Sequence, residues 1–355
     1  MVDNAAPAFT PVNLITGFLG SGKTTLLNRM LKSPKLADTA VLINEFGEVG
    51  LDHELIERID ENTVLLQSGC LCCTIRGELA DAIKALHSRR ARGEVPLYRR
   101  LLIESTGLAD PLPILTTIAA DPSLRHHYRL GVVVATIDAV NGMSQLDSQP
   151  ESRKQAAVAD RLVLTKTDIA APGETEPLLA RLLRLNPSAP VRYAIDPDLD
   201  PSALIGDDLF DLEAKSREVA LWFDEAFAEA RSRDHNHAHH RHDPNRHGDD
   251  IRAFAFSFDT PINWIAFGLW MSMLLNRHGD SILRVKGLLA LEGEAAPVAI
   301  HAVQQLVHAP THLPRWPSSD RRTRLVFIAK GLDETRVRRS FAAFVLGQSA
   351  RSRRI

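Results

Sequence analysis

Residues 17–24 read GFLGSGKT, a match to G-x-x-x-x-G-K-[ST], and the flanks decide its meaning. The apolar run VNLIT at 12–16 has strand character, and TLLNRML at 25–31 has helical character. A glycine-rich turn between a strand and a helix is the setting in which this motif wraps a phosphate chain. Gly17, Gly20 and Gly22 let the backbone close around the oxygens with its N–H groups inward. The helix N-terminus adds partial positive charge. Ser21 and Thr25 belong to the same nucleotide-binding stretch. Lys23 is expected to reach the β- and γ-phosphates and serve catalysis, and the Thr24 hydroxyl to ligate Mg2+.

Outward from this turn, apolar runs at 40–44, 63–67, 101–104, 131–137, 161–165 and 191–195 alternate with helix-length segments at 78–90, 112–120, 155–159 and 174–185. Continuous apolar strands separated by helices indicate a mostly parallel sheet covered on both faces. The expected class is therefore doubly wound α/β, with the nucleotide domain at 1–215. Residues 216–250 read as a helix and a flexible linker. Its stretch RDHNHAHHRHDPNRHGDD (233–250) holds His235, His237, His239, His240, His242 and His247 and no aliphatic side chain larger than alanine, so it cannot feed a core. A smaller α+β domain is expected over 251–355. Its elements are a strand with Phe254, Phe256 and Phe258 in alternation, a helix at 261–276, strands at 281–289, 298–307 and 324–329, and a last helix at 333–345. On the 261–276 helix the stripe Ile262, Ile265, Leu269 and Met273 reads as core packing.

Two further stretches bear on the nucleotide. LLIESTG (101–107) ends an apolar strand on Glu104, at the edge where ligands bind in such sheets. Its carboxylate could hold Mg2+ or orient the attacking water, and Gly107 permits close backbone approach to the γ-phosphate. VLTKTD (163–168) resembles the guanine-reading N-K-x-D of GTPases, with Thr165 in place of asparagine. Asp168 would accept from guanine N1–H and the 2-amino group, while the Lys166 stem would lie along the base.

The only three cysteines, Cys70, Cys72 and Cys73, sit within QSGCLCCTI (67–75). Clustered thiols suit a soft metal rather than a disulfide framework, and zinc would need a fourth ligand from elsewhere. The net charge of −2 gives no bulk attraction to nucleic acid. The first ten residues lack a charged and apolar leader pattern, and no apolar run is long enough for a membrane span. A cytoplasmic location is the expectation.

GFLGSGKTT, NEFGEVGLD (44–52), GCLCC (69–73), ESTGLADP (104–111) and TKTD occur in this order. Together they resemble the CobW family of GTPases, which includes metal chaperones. ILRVKGLL (282–289), RWP (315–317) and RTRLVFIAKGLD (322–333) resemble that family's C-terminal domain. The resemblance implies GTP hydrolysis with Mg2+, and Zn2+ or Co2+ on Cys70, Cys72 and Cys73. It implies that NEFGEVGLD acts as a switch, in which Glu45 or Glu48 could supply a hard ligand. A client metalloprotein is the expected partner, with a nucleotide-dependent homo-oligomer as a further expectation. The histidines of the linker could collect metal. Alternatives are a metal sensor or store with negligible hydrolysis, a cobalt or iron insertion factor for cobalamin synthesis or nitrile hydratase, and an ATP-using protein with a redox cysteine loop.

Overall fold

The computed structural model describes residues 9–44, 64–68, 75–205 and 251–347. These form two units. In the first, a seven-stranded sheet is built from β1 (Thr10–Gly17), β2 (Thr39–Asn44), β3 (Val64–Ser68), β4 (Arg100–Glu104), β5 (Tyr128–Asp138), β6 (Arg161–Thr165) and β7 (Val191–Tyr193). Their order is β3-β2-β4-β1-β5-β6-β7, and every pairing is parallel. The helices are α1 (Lys23–Leu31), α2 (Ile75–Ala91), α3 (Pro111–Ala120), α4 (Gly142–Ser148), α5 (Pro150–Val158) and the start of α6 (Thr175–Leu185), whose residues from Leu179 on belong to the second unit. The expected doubly wound class is what the chain adopts.

β1 is the centre of the sheet, and all eight of its residues are buried. That explains why its sequence runs apolar without alternation. Its one amide, Asn13, marks a register shift against β5 between Val12 and Leu14. There Asn13 Oδ1 accepts from the Val132 amide at 2.8 Å, satisfying a donor that the ladder leaves over.

The second unit holds strands β8 (Ile251–Phe258), β9 (Ile282–Leu289), β10 (Val298–Val303), β11 (Leu306–Val307), β12 (Thr311–His312) and β13 (Thr323–Lys330). They form an antiparallel sheet in the order β11-β10-β9-β13-β8, with β12 paired to β10. The strand expected at 298–307 is a tight hairpin, because Gln304 turns the chain at φ 50°. Helices α7 (Trp264–His278) and α8 (Glu334–Phe341) pack with this sheet, and α8 continues as a π-turn, Ala342–Leu346. Their shared core is aromatic. Phe254 and Phe256 stack on Phe327 at 5.3 and 5.5 Å, and Trp270 meets Phe341 edge-on at 4.9 Å, an arrangement favoured by the ring quadrupoles.

The reading of the α7 stripe needs correction. Ile262 is buried, but Ile265, Leu269 and Met273 are 70, 55 and 50% exposed. The core face of α7 is Phe267, Trp270, Met271, Leu274 and Leu275. The helix is apolar on nearly every side, so periodicity alone could not choose the buried one. Among the described residues, no helix is long and apolar enough to cross a membrane.

Candidate nucleotide site

Strand order brings the scattered motifs to one edge. β4 and β5 flank β1, so Glu104 lies beside Ile15 and Thr136 beside Gly17. β6 follows β5, with Thr165 beside Asp138. All these residues lie at the carboxyl ends of their strands, where an open parallel sheet leaves its binding crevice.

The 17–24 turn has the backbone its glycines were expected to allow. Gly20 and Gly22 have φ 70° and 87°, left-handed values that side chains disfavour. Gly22 precedes α1 and gives it no side-chain cap. The first-turn amides are thus available to an anion, with the helix dipole favouring one. Lys23 is largely buried, and its Nζ donates to the Phe18 carbonyl at 3.2 Å, which holds it across the loop. Ser21 Oγ and Thr136 Oγ1 are 2.6 Å apart, fixing the loop to β5.

Thr24 Oγ1 donates to Glu104 Oε1 at 2.7 Å, and Glu104 is only 4% exposed. A hydroxyl and a carboxylate held together are hard oxygen donors, the chemistry Mg2+ selects. The residues present therefore fit the ion. The loop after Glu104 is positioned by two groups that sequence reasoning missed. Ser105 Oγ donates to Thr16 Oγ1 at 3.0 Å. Gln155 of α5, fully buried, donates from Nε2 to the carbonyls of Gly107 and Ala109, both at 3.0 Å. Lys154 adds an ion pair with Asp110 at 2.7 Å, while Asp110 also caps α3 through the Leu112 amide. Replacing Gln155 with leucine keeps the volume and removes both donors. Turnover should fall roughly 10–100-fold, the equivalent of two ordinary hydrogen bonds, with GDP affinity unchanged. Single-turnover hydrolysis beside GDP titration checks this.

At the other end of the site, Lys166 sits at φ 57°, a left-handed conformation that is uncommon outside glycine and concentrates at functional sites. Its Nζ donates to Asp138 Oδ2 at 2.8 Å. Burial pushes the Asp138 carboxyl up. The bonds from Lys166, from the Asn141 side chain and from the Val140 and Asn141 amides outweigh it and hold the carboxyl below its usual range. Asp138 is a second strand-end acid, and the rule that singled out Glu104 could have found it. Asp168 is exposed and accepts no hydrogen bond among the described residues, so both its oxygens can serve a ligand. Thr165 Oγ1 donates to the Ser21 carbonyl at 2.8 Å, with a longer contact to Ile137 O at 3.2 Å. A hydroxyl at this position is enough to tie the 165–168 turn to the 17–24 loop.

The remaining expected site residues, Glu45, Cys70, Cys72, Cys73 and the six linker histidines, lie outside the described residues. Thr25 is on α1, and Gly107 is in the loop held by Gln155. His301 and His308 stack on each other at 4.2 Å, with Arg284 bonded to His301.

A glycine-rich turn opening a helix, a hard-oxygen pair and an exposed carboxylate along one crevice define a P-loop nucleotide-binding protein. Comparison with known proteins narrows this. Residues 11–192 match the family model described as CobW/HypB/UreG, nucleotide-binding domain, and 251–345 match the cobalamin synthesis protein cobW C-terminal domain. The chain belongs to the CobW family. It is 35% identical over 331 residues to a protein of Escherichia coli named zinc chaperone YjiA, covering 93% of this chain and 97% of that one. It is 29% identical to the zinc chaperone CobW of Pseudomonas aeruginosa, covering 92% and 89%. Among solved structures, the Zn(II)-bound YjiA GTPase from E. coli superposes with a TM-score of 0.69 at 30% identity, covering 95% and 99% of the two chains.

Proposed function

We propose that this protein is a GTP-hydrolysing metallochaperone. In this reading it binds a transition metal, zinc foremost and cobalt as the alternative cargo, at Cys70, Cys72 and Cys73. Glu45 supplies a candidate hard ligand, and the metal passes to a client metalloprotein as the nucleotide state changes. One observation carries the coupling. Asn44 and Ser68 are register partners at the ends of β2 and β3. The segment beginning with Glu45 and the segment holding the three cysteines therefore leave the sheet from adjacent points. β2 lies beside β4, where Ile43 pairs with Glu104, and β3 lies one strand further out. The strand end that precedes Glu45 is thus one strand from Glu104 and the strand end that precedes the cysteines two, which supports a coupling between nucleotide and metal. The names of the relatives support the choice of zinc, and those of the YjiA structure support GTP.

The chain's own residues divide the chemistry. The 17–24 amides and Lys23 hold the phosphates, and Asp168 and Lys166 hold guanine. Thr24 and Glu104 would hold Mg2+, which when bound neutralises charge on the phosphate oxygens. Gly107, presented by Gln155, offers its amide to the γ-phosphate. Turnover is slow in the isolated protein, because no arginine finger is identifiable in the sequence and such a group contributes about 10³–10⁵ in rate. The histidines at 235–247, which fall in the sequence between the two matched domains, collect metal for the site.

The test is metal titration of the purified protein with Zn2+ or Co2+, in a slowly hydrolysed GTP analogue with Mg2+ and in GDP. Affinity should be higher with the analogue and fall steeply in Cys72→Ser. Affinity indifferent to both nucleotide and Cys72 would overturn the proposal.

A further inference from the structure

The outer face of α7 is apolar and bare. Ile265, Leu269 and Met273 recur at i, i+4 and i+8, each at least half exposed, and Trp264 beside them is 43% exposed. A helix forming only one side of a domain core would carry polar groups here. Four large apolar side chains along one exposed face instead mark an interaction surface.

The stripe runs into a groove. Between the second half of α7 and the start of α8 lies a cleft of about 600 Å³, floored by Met273, Leu274, Leu332 and Phe344. Phe344 belongs to the π-turn that follows α8. Such turns are rare and often found at functional sites. The Trp270 indole N–H is satisfied within the domain by Ser340 Oγ at 3.0 Å, so the ring presents apolar surface to the cleft without a polar cost.

Charge says what fits. Arg277 and His278 from the last turn of α7 and Arg336 from the first turn of α8 border the cleft. The one acid lining it, Asp333, accepts from the Arg336 amide at 3.1 Å as the cap of α8, and its other oxygen pairs with the Arg336 guanidinium at 3.4 Å. That exposed pair leaves the guanidinium's remaining N–H groups for a ligand, and Arg277 adds a charge uncompensated among the described residues. The rim is therefore net cationic around an apolar floor.

We propose that this face docks an acidic amphipathic helix of a partner protein. The ligand helix lies along α7, with apolar residues at i, i+4 and i+7 or i+8 over Ile265, Leu269 and the cleft at Met273. Carboxylates in one end turn meet Arg277 and Arg336. A ligand running antiparallel to α7 places its N-terminal turn at that rim, and an N-terminal turn favours acids on its own account. Helix-in-groove recognition combines these elements. From Ile265 to Arg277 the face is about 18 Å long at 1.5 Å per residue, so three to four turns of ligand cover it. The inference is independent of the nucleotide and metal reading.

The test uses the full chain and a fluorescein-labelled helix-forming peptide of about 16 residues, with leucines at the stated spacing and glutamates in its first turn. Fluorescence anisotropy should give binding in the micromolar range. Binding should be at least about tenfold weaker, or 1.4 kcal/mol, for the same peptide with lysines replacing the glutamates. Leu269→Asp should lose at least about tenfold with GTP turnover unchanged, and Leu269→Ala gives a milder loss if the aspartate unsettles the fold. Arg336→Glu should erase the preference for the acidic peptide. Equal affinity for both peptides, or for the parent and both Leu269 variants, overturns the proposal. A homodimer in sedimentation that Leu269→Asp dissociates would assign the face to a second copy. Peptide binding seen only after residues 206–231 are deleted would assign it to the chain's own segment.

Discussion

Replacing Gly107 with alanine is expected to cut GTP turnover about 10²–10³-fold, the scale of losing one oriented donor at a developing charge. An added Cβ would lie 2.5 Å from the Leu19 amide nitrogen and 2.7 Å from its Cα. Both are backbone atoms of the phosphate loop, so no side chain can rotate away to make room. Either the 17–24 turn or the 105–110 loop must shift, and the proposed site uses groups of each to hold the γ-phosphate. Gln155 anchors the 105–110 loop through two carbonyls, which leaves the turn to yield. Stopped-flow phosphate release on the purified variant measures this. Turnover within twofold of the parent would show that the loop does not approach the nucleotide as the geometry indicates.

Changing Asp168 to asparagine should reverse base selection. An aspartate accepts two hydrogen bonds from guanine, at N1–H and the 2-amino group, and bonds to a charged group are each worth about 1.5–3 kcal/mol. Asparagine keeps an oxygen for N1–H but sets an N–H donor against the 2-amino donor, so losing that one bond costs roughly 1.5–3 kcal/mol, or about 10–10² in GTP affinity. An asparagine can instead donate to the 2-carbonyl of xanthine, so xanthosine triphosphate should bind the variant better than GTP does. Competition between the two nucleotides reads the switch directly. The residue is exposed on its turn, so the substitution should leave the fold alone. GTP affinity unchanged in the variant would remove Asp168 from the base site.

What the sequence disclosed about this site followed chain-local chemistry. The 17–24 turn, Glu104 at a strand end and the 165–168 turn were each legible, because glycine at a left-handed turn and an acid ending an apolar run are local signals. Parallel pairing was legible for the same reason, from apolar strands alternating with helices. What escaped was set by partners distant in sequence. Gln155 lies 48 residues from the Gly107 carbonyl it holds, and nothing around it marks an amide that will be buried. Thr165 looked like a weakened base reader until its hydroxyl was found on the Ser21 carbonyl, 144 residues away. α4 escaped as well, being short and opening with Gly142, a poor helix former. The buried side of α7 was misjudged because an all-apolar helix has no polar face to point outward.

One side chain gives the edge of the first sheet a different character. β7 is only three residues long, and Arg192 and Tyr193 on it are exposed, the profile of an edge that frays. Arg29, in the last turn of α1, donates to the carbonyl of Ala194, to that of Asp196 at 2.9 Å and to that of Leu199 at 3.4 Å. The guanidinium thus replaces a missing neighbouring strand as the partner of this outer turn. The border of the sheet cannot open locally without releasing the helix that begins at the phosphate loop, so the two belong to one cooperative unfolding unit. Ligand bound at the loop then protects a sheet margin it never touches.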